Sequence, residues 1–275
     1  MAMTKRSVFL GYDPRETEAF AIARRTFRRH APGVSVDAID LGDMRDLGLY
    51  TRPTSRDDKG RLFDDISGFP MATEFAISRF LTPILAREGW ALFADCDVMA
   101  RGDVNALFLQ CDPSKAVMCV KHRHAPPEGL KMDGQAQLRY ARKNWSSVMA
   151  FNCGHPANQV LTVDLINSAP GRDLHRFCWL PDDLIGDLDQ EWNFLVGHTD
   201  QEAEPSIVHW TEGGPWLPEY RNAPFADEWL EERRAWLEEG RAVKGQPKNK
   251  VWRYRSTHLT GQRRCYRATH LLQYA

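Results

Sequence analysis

Asp95 and Asp97 flank Cys96 directly after the apolar run Ala91-Leu92-Phe93-Ala94. At the end of an extended strand, residues two apart point to one side, so the two carboxylates can share one hard divalent cation. A D-x-D pair also arises by chance in an aspartate-rich chain, and a second one, Asp187 and Asp189, is present. Context separates them. The first pair terminates a hydrophobic strand, where ligands of open α/β sheets gather, whereas the second lies in a polar run.

The elements that must position this pair read as an α/β alternation. Residues 8–10 form a short apolar strand running into Gly11-Tyr12-Asp13-Pro14, a turn with a capping aspartate and a proline suited to a first helical position. A helix over 15–30 and a strand through Val34, Val36 and Ile39 follow. Residues 50–70 carry Pro53, Gly60, Gly68 and Pro70 and read as a long surface loop able to close on a ligand. Helical spacing returns over 73–87 before the strand 90–94. Strands are expected at 116–120, 147–151 and 207–210, and a helix at 156–166. Residues 121–145, with four prolines and glycines, form an excursion from the sheet.

The chain has 275 residues, 36 Lys and Arg against 37 Asp and Glu, and a 43% hydrophobic share, enough for one large α/β core. Near-neutral charge argues against a surface built for nucleic acid. The six cysteines form no CxxC pair, which points away from a zinc ribbon or disulfide scaffold and towards reduced thiols in the cytoplasm. No apolar run reaches the roughly 18 residues that span a bilayer. Charge is unevenly placed, however: after an acidic helix over 224–240, residues 241–275 hold nine Lys or Arg and no Asp or Glu. Interleaved with Trp252, Tyr254, Tyr266 and Tyr274, this tail suits an anionic membrane surface, a phosphorylated ligand or a nucleic acid backbone, or else a solvated face packing its aromatics onto the domain.

Four blocks in order carry a family resemblance. Residues 75–108, FAISRFLTPILAREGWALFADCDVMARGDVNALF, resemble the segment of family 8 glycosyltransferases, the group of glycogenin and bacterial lipopolysaccharide galactosyltransferases, in which an arginine-bearing helix precedes a strand and the metal-binding D-x-D. Gly11 to Asp13 resemble the family's first strand end, SVMAFNCG its strand ending in Phe-Asn-x-Gly, and IVHWTEGGPW its late histidine motif.

The resemblance implies a GT-A fold, a mixed central sheet flanked by helices over residues 1–223, with a helix and basic aromatic tail over 224–275. It implies a retaining transferase that moves a sugar from a UDP-sugar to a hydroxyl of a saccharide, lipid-linked or protein acceptor. Asp95, Asp97 and His209 would hold Mn2+ or Mg2+. Gly11, Tyr12, Asp13, Arg79, Cys96, Gly213 and Gly214 would contact the nucleotide sugar; Asp13 can equally cap the next helix, and the glycines can equally make a turn. Arg79, Asn152, Asp189 and Gln190 would act near the transferred sugar, with Asp182 and Asp183 as rivals to the Asp-Gln pair and a plain strand end as the alternative for Asn152.

Two departures stand out. The run from His209 to Trp216 lacks the lysine that meets the diphosphate in the family, so a basic residue from 121–143 or from the tail must replace it, and the Asp-Gln pair is blurred by Glu191-Trp192-Asn193. They leave room for an inactive nucleotide-sugar-binding protein, or for an interaction protein working through its tail.

Overall fold

The computed structural model describes residues 5–58, 60–122, 129–130, 136–137, 142, 145–199 and 204–243. In chain order, β1 (Arg6–Gly11) leads through a 3-10 turn, Pro14–Glu16, into α1 (Thr17–His30), then β2 (Ser35–Ile39) and α2 (Leu41–Asp46). The meander β3 (Thr54–Arg56), β4 (Leu62–Asp64), β5 (Phe69–Pro70) precedes α3 (Thr82–Ala86), β6 (Trp90–Ala94), β7 (Val98–Ala100), α4 (Val104–Gln110) and β8 (Val117–Cys119). After the small pair β9 (Gly129–Leu130) and β10 (Ala136–Gln137) come β11 (Val148–Asn152), α5 (Val163–Ser168), α6 (Gly171–His175), β12 (Ile185–Asp187), β13 (Phe194–Leu195), β14 (Ile207–His209) and α7 (Ala226–Val243).

Six strands form the central sheet in the order β12-β8-β11-β6-β1-β2. It is mixed: β2, β1, β6, β8 and β12 run one way and β11 runs against them. Each residue of β6 is buried, as a strand covered on both faces must be. The carboxyl ends of the five co-directional strands share one edge, and Asp95 leaves β6 there.

A second, three-stranded sheet, β13-β14-β7, begins at Val98, one residue beyond Asp97. Helix α7 clamps α1 through Arg25–Glu232 at 2.8 Å, Arg25–Glu239 at 2.5 Å and Arg233–Glu18 at 2.7 Å, over a cluster containing Trp210, Trp216 and Trp229. Among the described residues no helix is long and apolar enough to cross a membrane. The basic tail beyond 243 and most of the expected excursion over 121–145 lie outside the described residues.

Three elements differ from the expectation. Residues 73–87 are not one helix: turns lead to a 3-10 segment, Ser78–Leu81, and only then to α3. Pro83 has no N–H to donate to the carbonyl of Arg79, four residues back, and the Thr82 hydroxyl donates to it instead at 2.7 Å. Residues 156–166 divide into a 3-10 turn, Pro156–Val160, and α5, because the Thr162 side chain accepts from the N–H of Leu165 and restarts the helix there.

The third concerns 50–70, which is no free loop but the β3-β4-β5 meander, anchored at its root. Arg52, 2% exposed, forms a bidentate pair with buried Asp64 and also donates to the carbonyls of Ile166 at 2.8 Å and Ala169 at 2.7 Å. Burial pushes the Asp64 carboxyl up, but its bonds from Arg52 and Ser67 outweigh that and hold it below its ordinary value. Breaking one partner of such a buried pair strands the other charge. Asp64→Asn is therefore expected to cost about 3–5 kcal/mol in urea unfolding at neutral pH. Since the folded-state pKa is depressed, the wild-type advantage should persist above the ordinary carboxylate range and fade as pH falls through the depressed value.

Candidate functional site

Antiparallel pairing of β14 with β7 sets His209 opposite Val98, and the N–H of Trp210 donates to the carbonyl of Asp97 at 3.0 Å. A histidine more than a hundred residues downstream thereby meets the D-x-D. Its Nε2 lies 3.2 Å from Asp97 Oδ1, and Asp95, Asp97 and His209 offer ligand atoms within 4.8 Å of one another. Two carboxylates and one imidazole at this spacing fit a divalent cation such as Mn2+ or Mg2+.

The histidine is oriented from behind. Asn193 Nδ2 donates to Ser147 Oγ at 2.9 Å, which turns its Oδ1 towards His209 Nδ1 at 2.8 Å. His209 must then carry its neutral-state proton on Nδ1, leaving the Nε2 lone pair for a metal. Burial opposes charging the ring, but Asp97 and Asp95 overcome it and raise the pKa.

Arg79 supports the first aspartate. It is 5% exposed, its Nη1 lies 2.8 Å from Asp95 Oδ1, and it donates to the carbonyls of Ala76 at 3.1 Å and Ser146 at 2.8 Å. The rings of Phe75 and Phe93 stand 5.3 Å and 5.0 Å from its guanidinium carbon, a packing that holds the cation rigid. Phe75 also explains Gly11: a Cβ there would come within 2.4 Å of its ring.

Tyr12 and Asp13 sit beside this group at the end of β1. Asp13 is buried and accepts from Arg15 N at 2.9 Å, Arg15 Nε at 3.0 Å, Arg15 Nη2 at 2.7 Å and Glu74 N at 3.0 Å. Burial raises its pKa, yet these four donors outweigh that and lower it. Its observed work is to cap the turn into α1. Tyr12 packs edge-on against Phe20 at 5.0 Å, with its hydroxyl 3.3 Å from Thr17 Oγ1.

Cys96, fully buried, donates its thiol to Glu16 Oε2 at 3.2 Å. Sequence reading overlooked Glu16, although its place three residues beyond Asp13 put it on the ligand edge. Burial and the charge of Asp97 push its carboxyl up to about 7, and burial pushes the Cys96 thiol up as well. Asn193 and Ser147 were also overlooked, since neither residue type signals a role until the fold brings it behind His209.

Asn152 belongs elsewhere, contrary to the expectation. In the antiparallel register Val148 faces Ala94 whereas Asn152 faces Trp90, so four residues, about 13 Å, separate it from the Asp95 edge. Its amide instead donates to the carbonyls of Pro113 and Lys115 at 3.1 Å and 3.2 Å. Ser146 and Ser147 hold the position beside the D-x-D.

Gly213 and Gly214 serve aromatic packing: a Cβ on the first would meet Tyr220 at 2.6 Å and on the second Trp216 at 2.0 Å. Asp189 and Gln190 are exposed just after β12, on the same edge as Asp95. Of the basic segment, Lys121 pairs with Asp187 at 3.0 Å and Arg142 donates to the Arg176 carbonyl at 2.5 Å.

Over 241 residues the chain is 41% identical to Protein CDI of Arabidopsis thaliana, spanning 85% of this chain and 88% of that protein. It belongs to the family of that protein. No family model matches the chain. Among solved structures, it is similar to the bifunctional glycosyltransferase WbbM (TM-score 0.60, 16% identity, 89% of this chain), and to the glycosyltransferase GlyE of Streptococcus pneumoniae TIGR4 (0.53, 14%, 86%). An active-site mutant of LgtC is similar too (0.51, 14% identity, 83% of this chain and 95% of that one). The chain spans 52% of the WbbM chain and 64% of the GlyE chain. At these identities the likeness is one of fold: a mixed sheet flanked by helices of the GT-A-like glycosyltransferase kind, shared by several such enzymes and not specific to family 8.

Because Asn193 fixes the ligating tautomer, Asn193→Ala should weaken Mn2+ binding by about 10- to 100-fold, with Asp97→Asn weakening it further. Electron paramagnetic resonance titration of free Mn2+ would check this, and unchanged affinity in both variants would refute the site.

Proposed function

We propose that the protein is a metal-dependent glycosyltransferase that takes its sugar from a UDP-sugar and delivers it, with retention, to an acceptor hydroxyl. The observation that carries this reading is the convergence of Asp95, Asp97 and His209 at the carboxyl edge of a GT-A-like sheet. A bound Mn2+ or Mg2+ would neutralise charge on the diphosphate leaving group. Arg79 would hold Asp95 in its ligating position, and Asn193 would hold His209. Tyr12 would lie against the base, while the Asp13 cap would shape the turn beneath it.

In the transfer, the bond from the anomeric carbon to the diphosphate oxygen breaks, leaving its electron pair on UDP. The acceptor oxygen bonds the same carbon on the same face, and its proton passes to the departing phosphate oxygen. Asp189 and Gln190 are the candidates beside the transferred sugar. Residues 1–223 would form the transferase domain and 224–275 an extension whose first helix is docked on α1, with the basic tail meeting an anionic membrane surface on the cytoplasmic side. The family's diphosphate lysine is missing between His209 and Trp216, which favours, as a second reading, a binder of nucleotide sugars with little turnover.

A panel of UDP-sugars tested with Mn2+ decides between them. The true donor should raise thermal stability, by about 2.7 kcal/mol at a hundred times its Kd, because it binds only the folded state. It should also be hydrolysed or transferred in a manner abolished by chelation and by Asp95→Asn. Binding without turnover would leave the second reading; neither binding nor turnover for any sugar nucleotide would overturn both.

A further inference from the structure

Glu16 occupies the N-terminal boundary of α1, where Ser, Thr, Asp and Asn are the effective caps, yet its side chain makes no capping hydrogen bond. It turns instead to the ligand edge and takes the thiol of Cys96, the residue between the two proposed metal ligands. A carboxylate has about four acceptor sites, and a thiol is a weak donor that meets only one of them. Beside Asp97 and partly buried, this carboxylate is expensive for the fold. A residue that serves no cap, sits among other negative charges and faces the functional edge breaks local preference in the way binding groups do.

Its neighbours define what it would meet. Its N–H donates to the carbonyl of Asp13 at 2.9 Å, at the end of the strand where the base is placed under the transferase reading, and its side chain meets Cys96, next to Asp97, where the diphosphate is placed. The group that joins a base to a diphosphate is the ribose, which presents two adjacent hydroxyl donors. We propose that Glu16 reads that ribose, its carboxylate accepting hydrogen bonds from the 2′ and 3′ hydroxyls while the Cys96 thiol holds it in place. This inference rests on the transferase reading and adds a specificity-determining residue to it. It makes the protein selective for ribonucleotide over deoxyribonucleotide donors.

Calorimetry on the full chain with Mn2+, using UDP, 2′-deoxy-UDP and 2′,3′-dideoxy-UDP as probes, tests it. Wild type should bind UDP at least about tenfold more tightly than the dideoxy compound, the range expected for hydrogen bonds to a charged group. Glu16→Ala should lose about that factor for UDP and bind all three alike, with the dideoxy affinity unchanged. Glu16→Gln, nearly isosteric, keeps a carbonyl acceptor and should fall between. Affinities are compared at saturating Mn2+, because removing a carboxylate beside Asp97 should itself weaken Mn2+ binding; the readout is the ratio of UDP to dideoxy affinity, which a merely structural role at Cys96 would not move.

A Glu16→Ala protein that keeps the preference for UDP overturns the inference, as does one in which all three affinities fall equally at saturating Mn2+. Wild type that binds UDP but does not discriminate also overturns it and leaves the transferase reading standing; failure to bind UDP at all removes both.

Discussion

Mutual repulsion among Asp95, Asp97 and Glu16 is the constraint around which this molecule is organised. Bringing carboxylates together in a partly buried space is unfavourable unless opposite charge and hydrogen-bond donors are fixed nearby. Arg79 meets Asp95, His209 meets Asp97 and the Cys96 thiol meets Glu16, each from a different part of the chain. Burial and then the charge of Asp97 raise the carboxyl of Glu16 to about 7, and Asp97 and Asp95 outweigh burial in raising the pKa of His209. A cation arriving there would relieve the excess negative charge, so the arrangement stores a preference for binding one.

The supports of these groups are shared with the core, which ties fold to site. Phe75 fills the space above Gly11 and packs on Arg79; Phe93, from the middle of β6, packs on the same guanidinium. Ser147, in the turn just before β11, accepts the N–H of Asp95 on its carbonyl and the Asn193 amide on its hydroxyl, so one residue fixes both halves of the cluster at once. The β3-β4-β5 meander stands apart from this economy: its buried Arg52–Asp64 pair anchors it to the end of α5.

Several readings failed for reasons rooted in local chemistry. The spacing of apolar residues over 73–87 satisfies a helix, but Pro83 removes the donor that would have carried the helix back through Arg79. Asn152 follows an apolar strand just as a ligand-edge residue would, yet β11 runs against its neighbours and delivers its carboxyl end to the opposite edge. Strand direction is set by long-range pairing, so a strand-end asparagine carries no label saying which edge it will reach. Gly213 and Gly214 also leave room for the rings of Tyr220 and Trp216, a packing demand that the run of residues itself does not display.

By itself the sequence determined the alternation of strands and helices, the apolar β6 with its carboxylate pair at the end, and the concentration of basic residues after 240. These follow from periodicity, composition and adjacency, which are local properties. Family membership is likewise a matter of residue identity along the chain. Only the tertiary structure decided that His209 meets Asp97, that Asn193 stands behind it, that Glu16 faces the cluster and that Asn152 does not. Those outcomes depend on the register of β14 against β7 and the direction of β11 against β6. Register and direction are properties of paired strands, and a single strand read in isolation does not contain them.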